Sequence, residues 1–474
     1  MRISAWLFSA SLLAACSATP QRQPASPPRA ELAPPEVDSV LLQPVPADED
    51  APETTAPAAP ASHCPGECEA LAKSARAELV RIAASPERQV VEATHAAEAL
   101  ESAWGTCASY EHAKEQCDLP GLVRDMAEAN RIAGRTFDQG AALLVMSDPR
   151  YGLHASPEAQ EAQRSLRAMA AKAEQDAASG TLDPPSMALA ALVELAFQEP
   201  PKARAIALEL RQSAPRSEHT APLMLAVARD EARRGQWSTV STLLGNLQLG
   251  PDRPELFLER EALLGEAIAR RGQGAAAQAY FRRVVAAWEA EPEDSRQDLL
   301  AQVRPHPLLD RDDLSDALGA AYFHRAEEKR RALEQDKRPR LRGKATSAAV
   351  AAYARDVFAP WMRRQQEGMQ EANAAYLRVI EIKPPPYRWV VASGERVGHM
   401  TYAFVEEMRA IPAPEEIKKD PRLLASYENA LQGASEPMVE RAKAAYRTCA
   451  GTAELHGDPD GVGAKCRQWL SAHP

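Results

Sequence analysis

The chain has little of what most functional assignments rest on. Phe, Trp and Tyr make up only 5% of its 474 residues, and after the first fifteen positions no apolar run approaches the length needed to span a bilayer, about 20 residues. Regular alternation of apolar and polar residues is missing too, so neither a polytopic bundle nor a β-barrel is expected. The one strand-like run, Arg388–Ala392 around Trp389, stands isolated. The net charge of −10 is spread along the chain, without the density of Lys and Arg that nucleic acid selects, and no nucleic-acid partner is expected.

Motifs of catalysis are equally scarce. Gly343-Lys344-Ala345-Thr346 lacks the upstream glycine and strand of a phosphate loop. The ten histidines form no His-Glu-x-x-His pair; His95, His112, His154, His219, His324 and His399 are dispersed, and His306 sits among prolines in a linker. Ser393 lacks the flanking glycines of a nucleophile elbow and reads as a turn serine. Asp310, Asp312 and Asp313 do not follow calcium-loop spacing and read as an acidic linker. No catalytic residue, metal ligand or cofactor is therefore assigned. Two further readings stay open: a cell-wall enzyme whose residues converge only in space, and a purely structural envelope protein.

What is present begins at the amino terminus. Met1-Arg2, the apolar stretch through Trp6, Leu7, Phe8, Leu12 and Leu13, and the small pair Ala14-Ala15 make an export signal over residues 1–15. Leu13-Ala14-Ala15-Cys16 resembles the bacterial lipobox, which implies that Cys16 becomes an acylated amino terminus. Acyl chains contribute about 0.8 kcal/mol per buried methylene, so several anchor the chain to membrane lipid. The alternative is an ordinary secretory peptide cut near Ala15 or Ala18. Residues 16–65 are rich in Pro, Ala, Thr and acidic residues and hold no aromatic residue. Proline stops helix and sheet alike, so this segment reads as a disordered tether with a reach on the order of 140 Å.

Export places the six remaining cysteines in an oxidising compartment, where an even number suits disulfides. Cys449 and Cys466 are the expected local pair. Among Cys64, Cys68, Cys107 and Cys117 three pairings remain possible.

From about residue 66 the composition turns to strong helix formers. Leu71, Ala75, Leu79 and Ile82 mark one face of a first helix, and Ser85-Pro86 opens a second toward Trp104. Further helices are expected over roughly 121–135 and 156–179. Between 184 and 290, breaks at Glu199-Pro200-Pro201, Ala214-Pro215, Gly235-Gln236, Gly250-Pro251 and Arg271–Gly274 divide paired helices. Leu208, Leu244 and Phe281 recur at steps of 36 and 37 residues. That interval is similar to the tetratricopeptide period of about 34 residues. Leu264-Gly265 and Ala277 with Phe281 resemble that family's small and aromatic positions, although Glu261 and Ile268 stand where it has Trp and Tyr. The resemblance implies an all-α solenoid whose superhelix offers a concave face to a peptide or partner helix.

A second resemblance covers about 110 residues after Val357. Its order runs through Ala374–Ile380, Tyr387–Ala392, Arg396-Val397-Gly398, Phe404, Tyr427–Leu431, Ala434, Pro437, Ala445-Tyr446 and Cys449. This is similar to the carboxy-terminal region of tetratricopeptide-containing envelope proteins of gliding myxobacteria, the adventurous-gliding type. Asp460–Gly463 replaces that pattern's Asn/Asp-Trp. The resemblance implies an outer-membrane lipoprotein with its body in the periplasm, binding cell-envelope protein partners in a motility or transport complex. Within this module Arg396 and Gly398 are expected where a connection enters a helix, with Trp389, Tyr402 and Phe404 sealing the end of the array.

The expected order is an export signal (1–15), a tether (16–65), an N-terminal helical region with disulfides (66–180), tetratricopeptide-like repeats (181–328), a basic linker (329–348) and a capping module (349–474). The linker's run from Lys329-Arg330-Arg331 to Lys344 reads as a solvated helix end and loop, or as a contact for anionic lipid, polymer or protein. Candidate partner-binding residues are Trp237, Tyr280, Trp288, Trp361 and Trp389, because aromatic residues anchor interfaces, though most such residues are expected in the core.

Overall fold

The computed structural model describes residues 66–83, 89–107, 117–147, 153–154, 156–179, 183–197, 199–249, 253–302 and 311–474. The export signal, Cys16, the tether, Cys64 and the His306 linker lie outside the described residues. Among the described residues all regular structure is helical. Among the described residues, those from Gly66 to Leu318 belong to one compact unit and Gly319–Pro474 to another. These are called the hairpin unit and the terminal unit.

The hairpin unit comprises α1 (Gly66–Ala83), α2 (Gln89–Cys107), α3 (Leu119–Ile132), α4 (Thr136–Ser147), α5 (Pro157–Ala178) and α6 (Pro184–Ala196). It continues with α7 (Pro200–Ser213), α8 (Thr220–Arg233), α9 (Trp237–Leu244), α10 (Pro254–Arg270), α11 (Gly274–Ala290) and α12 (Glu293–Gln302). The division between units falls within α13 (Arg311–Gln335). Prolines open α5, α6, α7 and α10, where a missing amide costs nothing. At α6 the carboxylate of Asp183 accepts from the Ser186 amide at 3.3 Å and caps the helix.

Packing in this unit follows a two-layer rule. α6 lies against α4 and α8 as well as its sequence neighbours, and α8 likewise meets α6 and α10. Such helices are enclosed, and burial runs unbroken from Met187 to Glu194 in α6 and from Pro222 to Arg229 in α8. The alternate helices bury a single stripe instead: Ala203, Ala207 and Leu210 in α7, and Val240, Leu243 and Leu244 in α9. A helix apolar around most of its circumference requires neighbours on most sides, whereas a striped one can face solvent.

The stripe repeats with a uniform step of 37 residues. Leu166, Ala203, Val240 and Ala277 form one buried set, Ala170, Ala207, Leu244 and Phe281 a second, and Ala173, Leu210, Leu247 and Val284 a third. Sequence spacing places Leu208 in the second set; the buried residue there is Ala207, and Leu208 packs half-buried beside it. The turns repeat in the same register. The amides of Glu199, Gln236 and Gln273 donate to the carbonyls of Glu194, Glu231 and Ile268, at 2.8, 2.8 and 3.2 Å. Gly235 and Gly272 take positive φ (74° and 79°) to allow this C-terminal turn. Gly265 and Phe281 behave as the spacing suggests: a Cβ on Gly265 would lie 2.7 Å from the Phe281 ring.

The terminal unit is built differently. After α13 come α14 (Ser347–Tyr353), a π-turn (Ala354–Phe358), α15 (Ala359–Ile380), α16 (Tyr387–Arg409), the short α17 (Glu415–Lys418), α18 (Pro421–His456) and α19 (Val462–Ala472). α16 packs along α18 and also meets α15 and α19. The strand-like run Arg388–Ala392 is the first turn and a half of α16, because Trp389, Val390 and Val391 continue into a buried face through Val397, Met400, Phe404 and Met408. Gly398 therefore lies inside a helix rather than at a helix entry. Its role is close approach, since a Cβ there would stand 2.8 Å from the Tyr446 ring.

Two disulfides close the ends of the described chain. Cys68–Cys107 joins α1 to α2, and Cys449–Cys466 joins α18 to α19 across the Gly457–Gly463 loop, as expected. Cys117 is disulfide-bonded as well, and its sulfur lies 3.8 Å from that of Cys68.

Candidate functional site

The five aromatic candidates separate by burial. Trp288, Trp361 and Trp389 are core residues, 7%, 2% and 4% exposed. The Trp361 indole donates to the Asp336 carbonyl at 2.9 Å, and the Trp389 ring packs 5.1 Å from Phe323. Trp237 and Tyr280 are half-buried on the hairpin core, and each carries an arginine over its ring: Arg270 at 5.6 Å and Arg283 at 4.4 Å. Of the five candidates, these two are the ones that present aromatic surface outside a closed core.

Arg283 belongs to a wider lattice around α9, α10 and α11. Arg283 donates to Glu261 Oε2 at 2.6 Å, and Arg260 holds the other oxygen of Glu261, also at 2.6 Å. Arg260 reaches on to the carbonyls of Leu244 and Gly245, at 3.1 and 3.2 Å, satisfying the end of α9. Nearby, Arg229 pairs with buried Glu259 and lies 3.3 Å from Asp313. Trp237, Tyr280 and the arginines over them are the exposed part of this region, aromatic and arginine-rich, a composition suited to anchoring a macromolecule. The Arg229–Glu259 pair, by contrast, is buried beneath it in the core.

The terminal unit holds a polar cluster that sequence reasoning missed. Glu327 is 3% exposed. Arg330 forks onto both of its oxygens at 2.7 and 3.0 Å, the Tyr376 hydroxyl donates at 2.5 Å, and the Arg396 guanidinium lies at 3.4 Å. Burial pushes the Glu327 carboxyl upward, but the bonds and charges of Arg330, Tyr376 and Arg396 outweigh it and hold the group below its ordinary value of 4.5. Burial and the adjacent carboxylate push the Tyr376 phenol up. A general acid or base works best with its pKa near the operating pH. Here the two groups move away from neutrality in opposite directions, and both carboxylate oxygens already accept hydrogen bonds. The cluster fastens α13, α15 and α16 and does not prepare a proton transfer.

Among the described residues no three His, Cys, Asp or Glu side chains converge as a metal site, and no helix is long and apolar enough to cross a membrane. The chain finds no match among protein-family models, characterised proteins or solved structures.

Proposed function

We propose that this chain is an exported, lipid-anchored scaffold that recruits a cell-envelope protein through the hairpin unit. The repeats are of tetratricopeptide type, and the assembly is a motility or transport complex of the kind implied by the gliding-bacterial resemblance. The observation that carries this reading is the 37-residue register, in which three sets of buried residues and a recurring turn build the same unit again and again. Repetition of one hairpin extends a surface rather than closing a cleft. Trp237 and Tyr280, each beneath an arginine, are the anchors on that surface, and the acylated Cys16 holds the body at a bilayer.

Cross-linking in cells tests it. The wild-type chain captures one constant envelope partner; Trp237→Ala with Tyr280→Ala lowers that capture at least tenfold, the loss expected when interface anchors are truncated. Cys16→Ser abolishes lipid labelling and moves the body to the soluble fraction. Capture of abundant neighbours alone, unchanged by the aromatic substitutions, rejects the recruitment reading. Retained lipid labelling in Cys16→Ser rejects the anchor.

A further inference from the structure

The basic run after α13 is not a free connection. Residues 336–346 cross the terminal unit as a strap in which Asp336, Arg338, Pro339, Leu341 and Ala345 are the positions turned inward. The Asp336 carbonyl accepts from Trp361 and Gln365 at 2.9 and 3.0 Å. Arg338 donates to Glu407 and to the Ala410 carbonyl at 2.6 and 3.1 Å, and the Pro339 carbonyl accepts from the Tyr353 hydroxyl at 2.6 Å. Leu341 packs into the core of Phe358, Trp361 and Phe404, and the Ala345 carbonyl accepts from the Glu415 amide at 2.7 Å.

With those positions turned in, Lys337, Arg340, Arg342 and Lys344 are turned out. All four are exposed and make no ion pair among the described residues. The carboxylates close by are committed elsewhere: Glu407 to Arg338, Asp336 to Arg364, Glu415 to Lys418 and Glu416 to Ser347. The row is therefore an uncompensated positive strip held on a fixed backbone. The unit behind it is also positive. Gly319–Pro474 carries 25 Lys and Arg against 20 Asp and Glu, a net of +5, whereas residues 1–318 carry 31 against 46, a net of −15. The overall −10 is thus divided between opposite signs and not spread along the chain.

We infer that this strap is a docking strip for an anionic phospholipid surface. The intervening side chains, Pro339, Leu341 and Ala345, are not offered outward as anchors, so the strip lacks the aromatic or aliphatic centre that a protein partner needs. Headgroup phosphates ask for less: several point charges on one side, without shape complementarity. The inference rests on the lipid-anchored reading in one respect, because the acyl group at Cys16 brings a bilayer within the tether's reach. Anchor and strip then engage one surface, and the second contact forms at high effective concentration.

The test removes the anchor and keeps the strip. The full chain with Cys16→Ser is compared with the same chain also carrying Lys337→Glu, Arg340→Glu, Arg342→Glu and Lys344→Glu, so that all other residues contribute equally. Co-sedimentation uses phosphatidylcholine vesicles with and without phosphatidylglycerol. Each cation near an anionic surface is worth on the order of fivefold in partitioning, so the reversed strip binds phosphatidylglycerol vesicles more than a hundredfold less. Binding by the intact strip falls steeply as salt rises. A milder pair, Arg340→Gln with Arg342→Gln, gives an intermediate loss and guards against misfolding of the charge-reversed chain. Equal binding by intact and reversed strips, equal binding to vesicles lacking phosphatidylglycerol, or no vesicle binding overturns the inference. None of these outcomes bears on whether Cys16 is acylated, which lipid labelling reads separately.

Discussion

The two units solve the same problem, burying helices that have few aromatic residues to bury, by opposite means. The hairpin unit uses a repeated pattern of small and aliphatic side chains. Its equivalent positions hold Ala191, Ala228 and Gly265 in one layer and Ala207, Leu244 and Phe281 in the other, so the smallest residue meets the largest. The terminal unit concentrates its rings, with Tyr353, Phe358, Trp361 and Phe404 in one cluster, and Trp469 between Tyr446 at 4.1 Å and His473 at 4.2 Å. It also buries a carboxylate with two arginines. Repetition distributes stability over many similar contacts, while an aperiodic core places it in a few that have no substitute.

The comparison breaks most visibly at Glu327. Removing its carboxylate leaves Arg330, which is 8% exposed, with Glu334 alone, and strands the hydroxyl of Tyr376, which is fully buried. Glu327→Ala is expected to cost about 3–5 kcal/mol, the range for breaking one side of a buried ion pair. Hydrogen exchange resolved by helix should show the loss in α15 and α16 while α6 to α10 keep their protection. Because the folded carboxyl lies below its ordinary value of 4.5, its contribution is fully present above that pH and is lost as pH falls further. Glu327→Gln therefore flattens the acid limb of the terminal unit's stability. Equal losses in both units would mean that they do not differ as claimed.

A smaller effect is expected at Gly265. Phe281 is 1% exposed and cannot swing away from the 2.7 Å contact that a Cβ would make. Gly265→Ala should destabilise by about 1–3 kcal/mol, the usual cost of overpacking. Adding Phe281→Leu recreates the Ala228 and Leu244 combination found 37 residues earlier, and denaturant titration should return most of the loss. No recovery would show that the sets are not interchangeable and that the register is a coincidence of spacing.

The same contrast explains what could be read in the sequence. Periodic breaks at Pro200, Pro215, Gly235 and Gly272, and the local pair Cys449–Cys466, are features of neighbouring residues and were visible there. The one-residue error at Leu208 arose because alanine carries a weak apolar signal and a half-buried leucine beside it a strong one. α4 was missed for a related reason: Thr136–Ser147 follows α3 after a turn marked only by Gly134. Glu327 and Arg330 sit in a run of five charged residues that looks solvated, and their burial depends on Tyr376 and Arg396, 49 and 69 positions away. Likewise nothing local distinguishes the strap from a linker, since Arg338 and Ala345 find partners about 70 residues later. The half-exposed Trp237 and Tyr280 could not be told from Trp361 and Trp389 by residue type.

The finest test of the contrast compares two helix caps. Asp458 accepts from the amides of Gly463 at 3.0 Å and Ala464 at 2.9 Å, at the start of α19. Asp183 does the same work for α6. Loss of either carboxylate should cost about 1 kcal/mol. Asp458→Ala should act only on α19, because Cys449–Cys466 and the close docking of Gly463 on Ala453 hold that helix when its first turn frays. Slight burial pushes the Asp458 carboxyl up, but the backbone donors prevail and keep it below its ordinary value of 3.8, so the effect is present above that pH and fades as pH falls through the lowered value. Asp183→Ala has no covalent clasp beside it. Its fraying should pass to α7 and α8 through the shared layer, and exchange rates that rise only in α6 would mean that neighbouring hairpins do not support one another.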